Sequence, residues 1–173
     1  WQCDFVGNSA HGNGADGGAI AVDQGGSPQF VGCVIRDNVA YDDAGALRLI
    51  SGNVALDNCL IVGNECGDDG GAIRINSGSL VMRNCTVVNN ISSNAALPGA
   101  ISGAQLSTNQ NCIFWNNGTN QFSGAPGTSN FSYCTIEGWT LGGGGNQTAN
   151  PLLTTNVWCL GASSPCIDAG VSN

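Results

Sequence analysis

One sequence feature governs what this chain can become: it repeats itself. Cys59 to Ile75 reads CLIVGNECGDDGGAIRI, and altered copies begin at Cys3, Cys33, Cys85 and Cys112. In all five, Asn stands five positions after the Cys, at Asn8, Asn38, Asn64, Asn90 and Asn117. In four of them a turn of small residues follows, and then Ala19-Ile20, Ala46-Leu47, Ala72-Ile73 and Ala100-Ile101. The Cys-to-Cys steps are 30, 26, 26 and 27 residues, then 22 to Cys134. A unit this short cannot bury an apolar face alone, so neighbouring units must stack on one another.

Within each unit, short runs alternate apolar and polar residues between Gly, Asn, Asp and Ser, the pattern of half-buried strands. Ile20/Val22, Leu47/Leu49 and Ile73/Ile75 share one face, while Ala21, Arg48 and Arg74 share the other. Phe30, Leu56 and Met82 stand three residues ahead of their cysteines, and Phe5, Ile35, Ile61, Val87 and Phe114 two residues after theirs. No stretch carries a sustained, capped helical pattern. Three short strands per unit, stacked in parallel about 4.8 Å apart, predict an all-β, right-handed, single-stranded parallel β-helix of about six coils, roughly 25–30 Å long. A leucine-rich repeat would show a Leu/Asn consensus, which is missing. Residues 1–140 are read as the repeats and 141–173 as a cap of the same domain. The cap begins with a flexible Gly-rich link, Leu141 to Thr148, and folds over the last coil as a lid.

Composition narrows the function. Among 173 residues there are 12 acids, four Arg and no Lys, for a net charge of -8. Such a chain has little with which to neutralise phosphates or to meet anionic lipids, so nucleic acid is not an expected partner. No run of eighteen apolar residues offers a membrane span. The chain begins inside a repeat at Trp1-Gln2-Cys3, which is read as an excised or processed piece with an exposed first coil. Two partners follow from that edge: neighbouring repeats of a longer surface protein, or another copy stacked head to tail in an extracellular fibre.

Gly17-Gly18-Ala19-Ile20, Gly70-Gly71-Ala72-Ile73 and Phe5-Val6-Gly7-Asn8 resemble the GGAI and FxxN motifs of polymorphic outer-membrane-protein repeats. Asn150-Pro151-Leu152-Leu153 and Ser164-Pro165-Cys166-Ile167-Asp168-Ala169-Gly170 resemble the DPLF…SPAIDAG ending of secreted bacterial right-handed β-helix proteins. That resemblance implies a secreted or cell-surface location and a family that includes adhesins. The sequence departs from it at Asn150, where Asp is usual, and at Cys166, where Ala is usual. Cys166, with Cys159 nearby, suggests a local disulfide.

The Cys column is expected to fill the core, since no CxxC or HxxxH spacing supports a metal and stacked thiols point the same way rather than at each other. Cys66 lies outside the column and is the expected odd thiol. The Asn column is expected to form an amide ladder. Asp16, Asp43 and Asp69 share one column, and Asp42 and Asp68 the next. Stacked carboxylates either bind a cation such as Ca²⁺ or project into water from loops. A β-helix with Ca²⁺ and outward Arg48 and Arg74 invites comparison with polysaccharide lyases, but no residue is evidently tuned as a base, and His11 reads as a loop residue. Asp57 and Arg83 are expected to pair across neighbouring coils. Of the N-x-S/T sequons, Asn84 and Asn90 are set aside, the first for its buried neighbour Cys85 and the second for the ladder. Asn117, Asn130 and Asn146 remain as exposed glycosylation acceptors. A non-enzymatic structural or adhesin-type module is the favoured function. A lyase-type enzyme, and a glycan-binding module using Trp115, Trp139 and Tyr41, are the alternatives.

Overall fold

A computed structural model describes residues 2–12, 14, 16–154 and 158–171. Trp1, whose exposure bears on the fibre idea, lies outside the described residues. Every strand pair among the named strands is parallel, and like residues of successive repeats stand in register. The chain is a parallel β-solenoid of about five turns, with a further partial turn contributing only to the longest sheets.

A full coil has four short strands rather than the three expected. After the Cys, Asp4–Val6, Val34–Arg36, Leu60–Val62, Thr86–Val88, Ile113–Trp115 and Thr135–Ile136 form a six-stranded sheet. After the ladder Asn come two-residue strands, Ser9–Ala10, Val39–Ala40, Glu65–Cys66 and Ile91–Ser92. After the small-residue turn come Ile20–Val22, Leu47–Leu49, Ile73–Ile75 and Ile101–Ser102. Ahead of the Cys lie Gln29–Val31, Asn53–Asp57, Ser79–Arg83, Ser107–Gln110 and Phe131–Ser132. The second sheet leaves no mark in the sequence pattern, because two residues cannot display an alternation.

The core runs up the axis of the stack. Ile35, Ile61, Val87, Phe114 and Ile136 form one inward column, and Leu56, Met82 and Phe131 belong to another. Burying each such side chain contributes roughly 1.5–3 kcal/mol. Two turns per coil need a left-handed residue, and Asn or Asp tolerates this where most residues do not. One column precedes the cysteines at Asn58, Asn84 and Asn111, and the other precedes the ladder at Asp37, Asn89 and Asn116.

The Gly just before the repeat Ala, at Gly18, Gly45, Gly71 and Gly99, has a separate cause. A Cβ on Gly45 would lie 2.5 Å from both Gly71 O and Glu65 N, and one on Gly71 would lie 2.6 Å from Gly99 O. Stacked coils approach too closely there for any side chain.

The Asn ladder is continuous. The backbone N–H and Nδ2 of Asn38 both donate to Asn64 Oδ1, at 3.1 and 2.8 Å. Asn64 does the same to Asn90 at 3.0 and 2.8 Å, and Asn90 to Asn117 at 3.0 and 2.9 Å. Each Nδ2 also reaches back to a carbonyl of the preceding coil, Phe5 for Asn38, Ile35 for Asn64 and Ile61 for Asn90. One side chain thus ties three coils together. Asn38, Asn64, Asn90 and Asn117 are fully buried; Asn8, at the first coil, is exposed. At the far end Gln121 Oε1 accepts from Asn117 Nδ2 at 2.9 Å and closes the ladder.

The C-terminal end departs from the lid expected. Phe114, Phe122, Phe131 and Trp139 close the core as an aromatic plug, with ring centroids 4.7–5.7 Å apart. The Gly run is no loose link. Gly142 to Gly145 all have left-handed φ between 58° and 71°, and Gly144 O accepts from Tyr133 N–H at 2.6 Å. A Cβ on Gly145 would meet the Tyr133 ring at 2.7 Å. Beyond it the tail lies along the outer side of the six-stranded sheet, where Asn111 exchanges two hydrogen bonds with Val171 at 2.8 and 3.0 Å. No helix among the described residues is long and apolar enough to cross a membrane.

Candidate functional site

The carboxylate column contains its own positive charge. Arg48 and Arg74 project outward from the third sheet, in register with each other. Each folds onto the turn five residues upstream: Arg48 Nη1 donates to Asp43 Oδ2, and Arg74 Nη1 to Asp69 Oδ2 at 2.7 Å. Arg74 also donates to Asp43 Oδ1 at 3.0 Å, and Arg48 lies 3.5 Å from Asp16. Ser102, which takes the Arg position one coil on, donates to Asp69 Oδ2 at 2.7 Å. The column therefore alternates acid and guanidinium along the stack. Its side chains are shielded, with 9% of Arg48 and 11% of Asp43 exposed. Charges this far from water are favourable only as a satisfied set.

This arrangement bears on both readings of the acids. The five do not all project into water: Asp43 is buried, Asp16, Asp42 and Asp69 are half-buried, and Asp68 is exposed. Asp16, Asp42 and Asp43 bring carboxylate oxygens within 4.8 Å of one another, a geometry compatible with a hard cation such as Ca²⁺. Both oxygens of Asp43, however, already hold guanidinium donors. A cation there would compete with Arg48 and Arg74. The spacing of Asp43 to Arg48 and of Asp69 to Arg74, five residues in each case, was the available signal for the ion-pair column.

The thiols are core atoms. Cys33, Cys59, Cys85, Cys112 and Cys134 are buried, whereas Cys3 on the first coil is exposed, contrary to the expectation of a wholly inward column. Sγ of Cys85 and of Cys112 lies 3.2 Å from the carbonyl oxygens of Arg83 and Gln110 respectively. The hydrogen bond from Cys59 to Cys85, together with burial, pushes the Cys59 thiol up. Burial, together with hydrogen bonds to Cys134 and Cys85, pushes Cys112 up. Cys66 is fully buried in a second inward column with Ala10, Ala40 and Ser92, and burial pushes its thiol up to about 12. Cys59, Cys66 and Cys112, held neutral in this way, are poor nucleophiles. Toward the tail, Cys166 Sγ lies 3.1 Å from Thr135 Oγ1, and Cys159 is exposed.

The proposed sequons need correction. Asn117 is a fully buried ladder residue, so no glycan can be attached to its amide. Asn130 Nδ2 donates to Gln105 O and Ser107 O at 3.2 and 2.6 Å, and Asn146 Nδ2 to Phe131 O at 3.0 Å. Both are half-buried and act as structural amides. Asn84, set aside because Cys85 is buried, is itself exposed, since its left-handed backbone turns it outward from the coil. Asp57 and Arg83 do face each other across coils, at 3.5 Å. His11 is exposed and shares a hydrogen bond with Ser9 Oγ at 2.9 Å.

The three aromatic residues expected as stacking platforms differ. Tyr41 is 62% exposed. Trp115 is half-buried and lines a recess with Leu152, Leu153 and Trp158 of the tail. Trp139 belongs to the aromatic plug and borders a cleft at the C-terminal end. Against protein-family models, curated proteins and solved structures, no match to this chain is found.

Proposed function

We propose that this chain is a non-enzymatic structural module of the extracellular or cell-surface kind, a stiff β-helical shaft of the sort from which adhesins are built. The observation that carries this reading is that the repeat-defining polar side chains are spent on joining coil to coil. The Asn column forms the ladder, and the Asp and Arg columns neutralise one another. Arg48 and Arg74, the groups a lyase reading would recruit, are held between carboxylates, which favour their charged form over the neutral form a base needs. The likeness of the GGAI, FxxN and SPCIDAG segments to secreted bacterial repeats supports a surface location. Of the two partner arrangements, neighbouring repeats of a longer chain are favoured over a head-to-tail fibre. The reason is that the C-terminal edge is already paired: residues 120–123 bond to Gly99–Ile101, and Gln147 to Cys134 and Ile136. A second copy would have to pair with these irregular segments rather than with a regular strand of the coil.

Sedimentation at micromolar concentration, with an assay of acidic polysaccharide cleavage in the presence and absence of Ca²⁺, tests the proposal. A monomer without turnover is expected. Filaments would overturn the choice of partner, and calcium-dependent cleavage would overturn the structural role.

A further inference from the structure

The C-terminal end of the stack holds a cleft that the shaft itself does not need. It encloses about 720 Å³, within the range of small-ligand sites, about 300–1,000 Å³. Phe122, Ile136 and Trp139 are among its apolar lining residues, and Thr119, Asn120 and Glu137 among its polar ones. We propose that this cleft binds an uncharged oligosaccharide, with one sugar ring laid on Trp139 and its hydroxyls bonded to Glu137 and Asn120.

Three observations support that occupant. First, the aromatic platform is preset. Trp139 packs on Phe131 with centroids 5.1 Å apart, and its Nε1 donates to Gly142 O at 3.0 Å. The indole thus loses little freedom on binding, and an apolar face beside polar groups matches the two-sided surface of a sugar ring.

Second, Glu137 is held in place but not used up. Its Oε2 accepts from Asn116 N–H at 2.7 Å and Gln121 Nε2 at 3.0 Å, while Oε1 makes no hydrogen bond among the described residues. An anchored carboxylate with a spare oxygen is a strong acceptor for hydroxyl groups. Asn120 Nδ2 is directed to Ala96 O at 3.1 Å, which leaves its Oδ1 as a second acceptor.

Third, the competing occupants fit less well. Glu137 is the one ionisable group among the cleft's lining residues, and the chain carries -8 overall without Lys. Uronates and nucleotides would be repelled rather than neutralised. A second copy adding by strand pairing meets an edge that residues 120–123 and 144–147 already occupy.

The test uses tetrasaccharides of glucose, mannose and galactose, with tetragalacturonate as the acidic probe, followed by calorimetry and tryptophan fluorescence. Binding of at least one neutral probe is expected, weakened about tenfold by Trp139→Phe and by Glu137→Gln, because each removes one principal contact. Tyr41→Ala, remote on the wall, should leave it unchanged. Glu137→Gln keeps an oxygen for Asn116 and so preserves the fold if Trp139→Phe does not. No binding, binding that neither variant weakens, a preference for tetragalacturonate, or self-association through the cleft would each overturn the proposal. None of these results would touch the structural role of the shaft, which sedimentation and the cleavage assay decide separately.

Discussion

Replacing Asn64 by Leu removes the central rung of the amide ladder. Asn64 Oδ1 accepts from the backbone N–H and the Nδ2 of Asn38, at 3.1 and 2.8 Å. Its own Nδ2 donates to Asn90 Oδ1 at 2.8 Å and to Ile35 O at 3.0 Å. Leu supplies none of these, and Asn38 and Asn90 are fully buried, so water cannot replace them. Two buried donors on Asn38 are stranded at about 1–3 kcal/mol each. Asn90 Oδ1 keeps the backbone N–H of residue 64 and is only partly deprived. The branched side chain in an amide-shaped slot adds strain of about 1–3 kcal/mol. The sum is roughly 3–9 kcal/mol, a large share of the roughly 5–15 kcal/mol that holds a typical domain together. Urea unfolding followed by far-UV circular dichroism reads the loss directly. Asn8→Leu is the internal control. Asn8 is exposed and contributes one side-chain rung at 2.9 Å, so its loss should cost under about 1 kcal/mol. If the two variants unfold at the same urea concentration, or if Asn64→Leu matches wild type, the ladder does not bind the coils together.

Asp43→Ala deprives the buried Arg48 of its closest partner and Arg74 of one of two, and should cost about 3–5 kcal/mol in the same assay. Asp57→Ala removes a pair whose Arg83 is 46% exposed, and should change stability by no more than about 1 kcal/mol. Gly45→Ala drives a methyl group to 2.5 Å from the next coil and should destabilise by at least about 1–3 kcal/mol, measured as a fall in melting temperature. The Cys66 thiol, raised from 9.0 to about 12 in the folded chain, keeps its proton there after the unfolded chain has lost it. Its contribution is therefore complete below pH 9.0 and lost as pH rises toward about 12. Cys66→Ala, which matches Ala10 and Ala40 in its column, should flatten that part of the alkaline stability profile. An unchanged profile would show that the thiol does not govern it.

Much of the fold was legible because a stack converts sequence period into spatial register. Residues 26 or 27 apart that share a type also share a column, and the inward Asn38, Asn64, Asn90 and Asn117 follow from that alone. The same reasoning fails where register is not the deciding variable. Glu65–Cys66 is too short to show alternation, and its sheet went unseen. The acids were read as a column of like charges because the cations that separate them come from a different strand of the coil, five residues on. The tail repeats nothing, so neither its course along the outer sheet nor the aromatic plug is written in the period. A sequon's exposure does not follow from its neighbour's burial, since the left-handed turn at Asn84 decides where its side chain faces.

Hydrogen exchange resolved by residue tests the central claim most directly, because it reads how tightly each rung is held within the intact protein. Groups bonded on both sides inside a cooperative stack open only with the whole. The backbone amides and Nδ2 protons of Asn38, Asn64 and Asn90 should therefore be among the last to exchange, while those of Asn8 exchange early. Rapid exchange at Asn64, at the rate of an exposed turn and with the chain still folded, would contradict the account of a shaft held coil to coil by its asparagines.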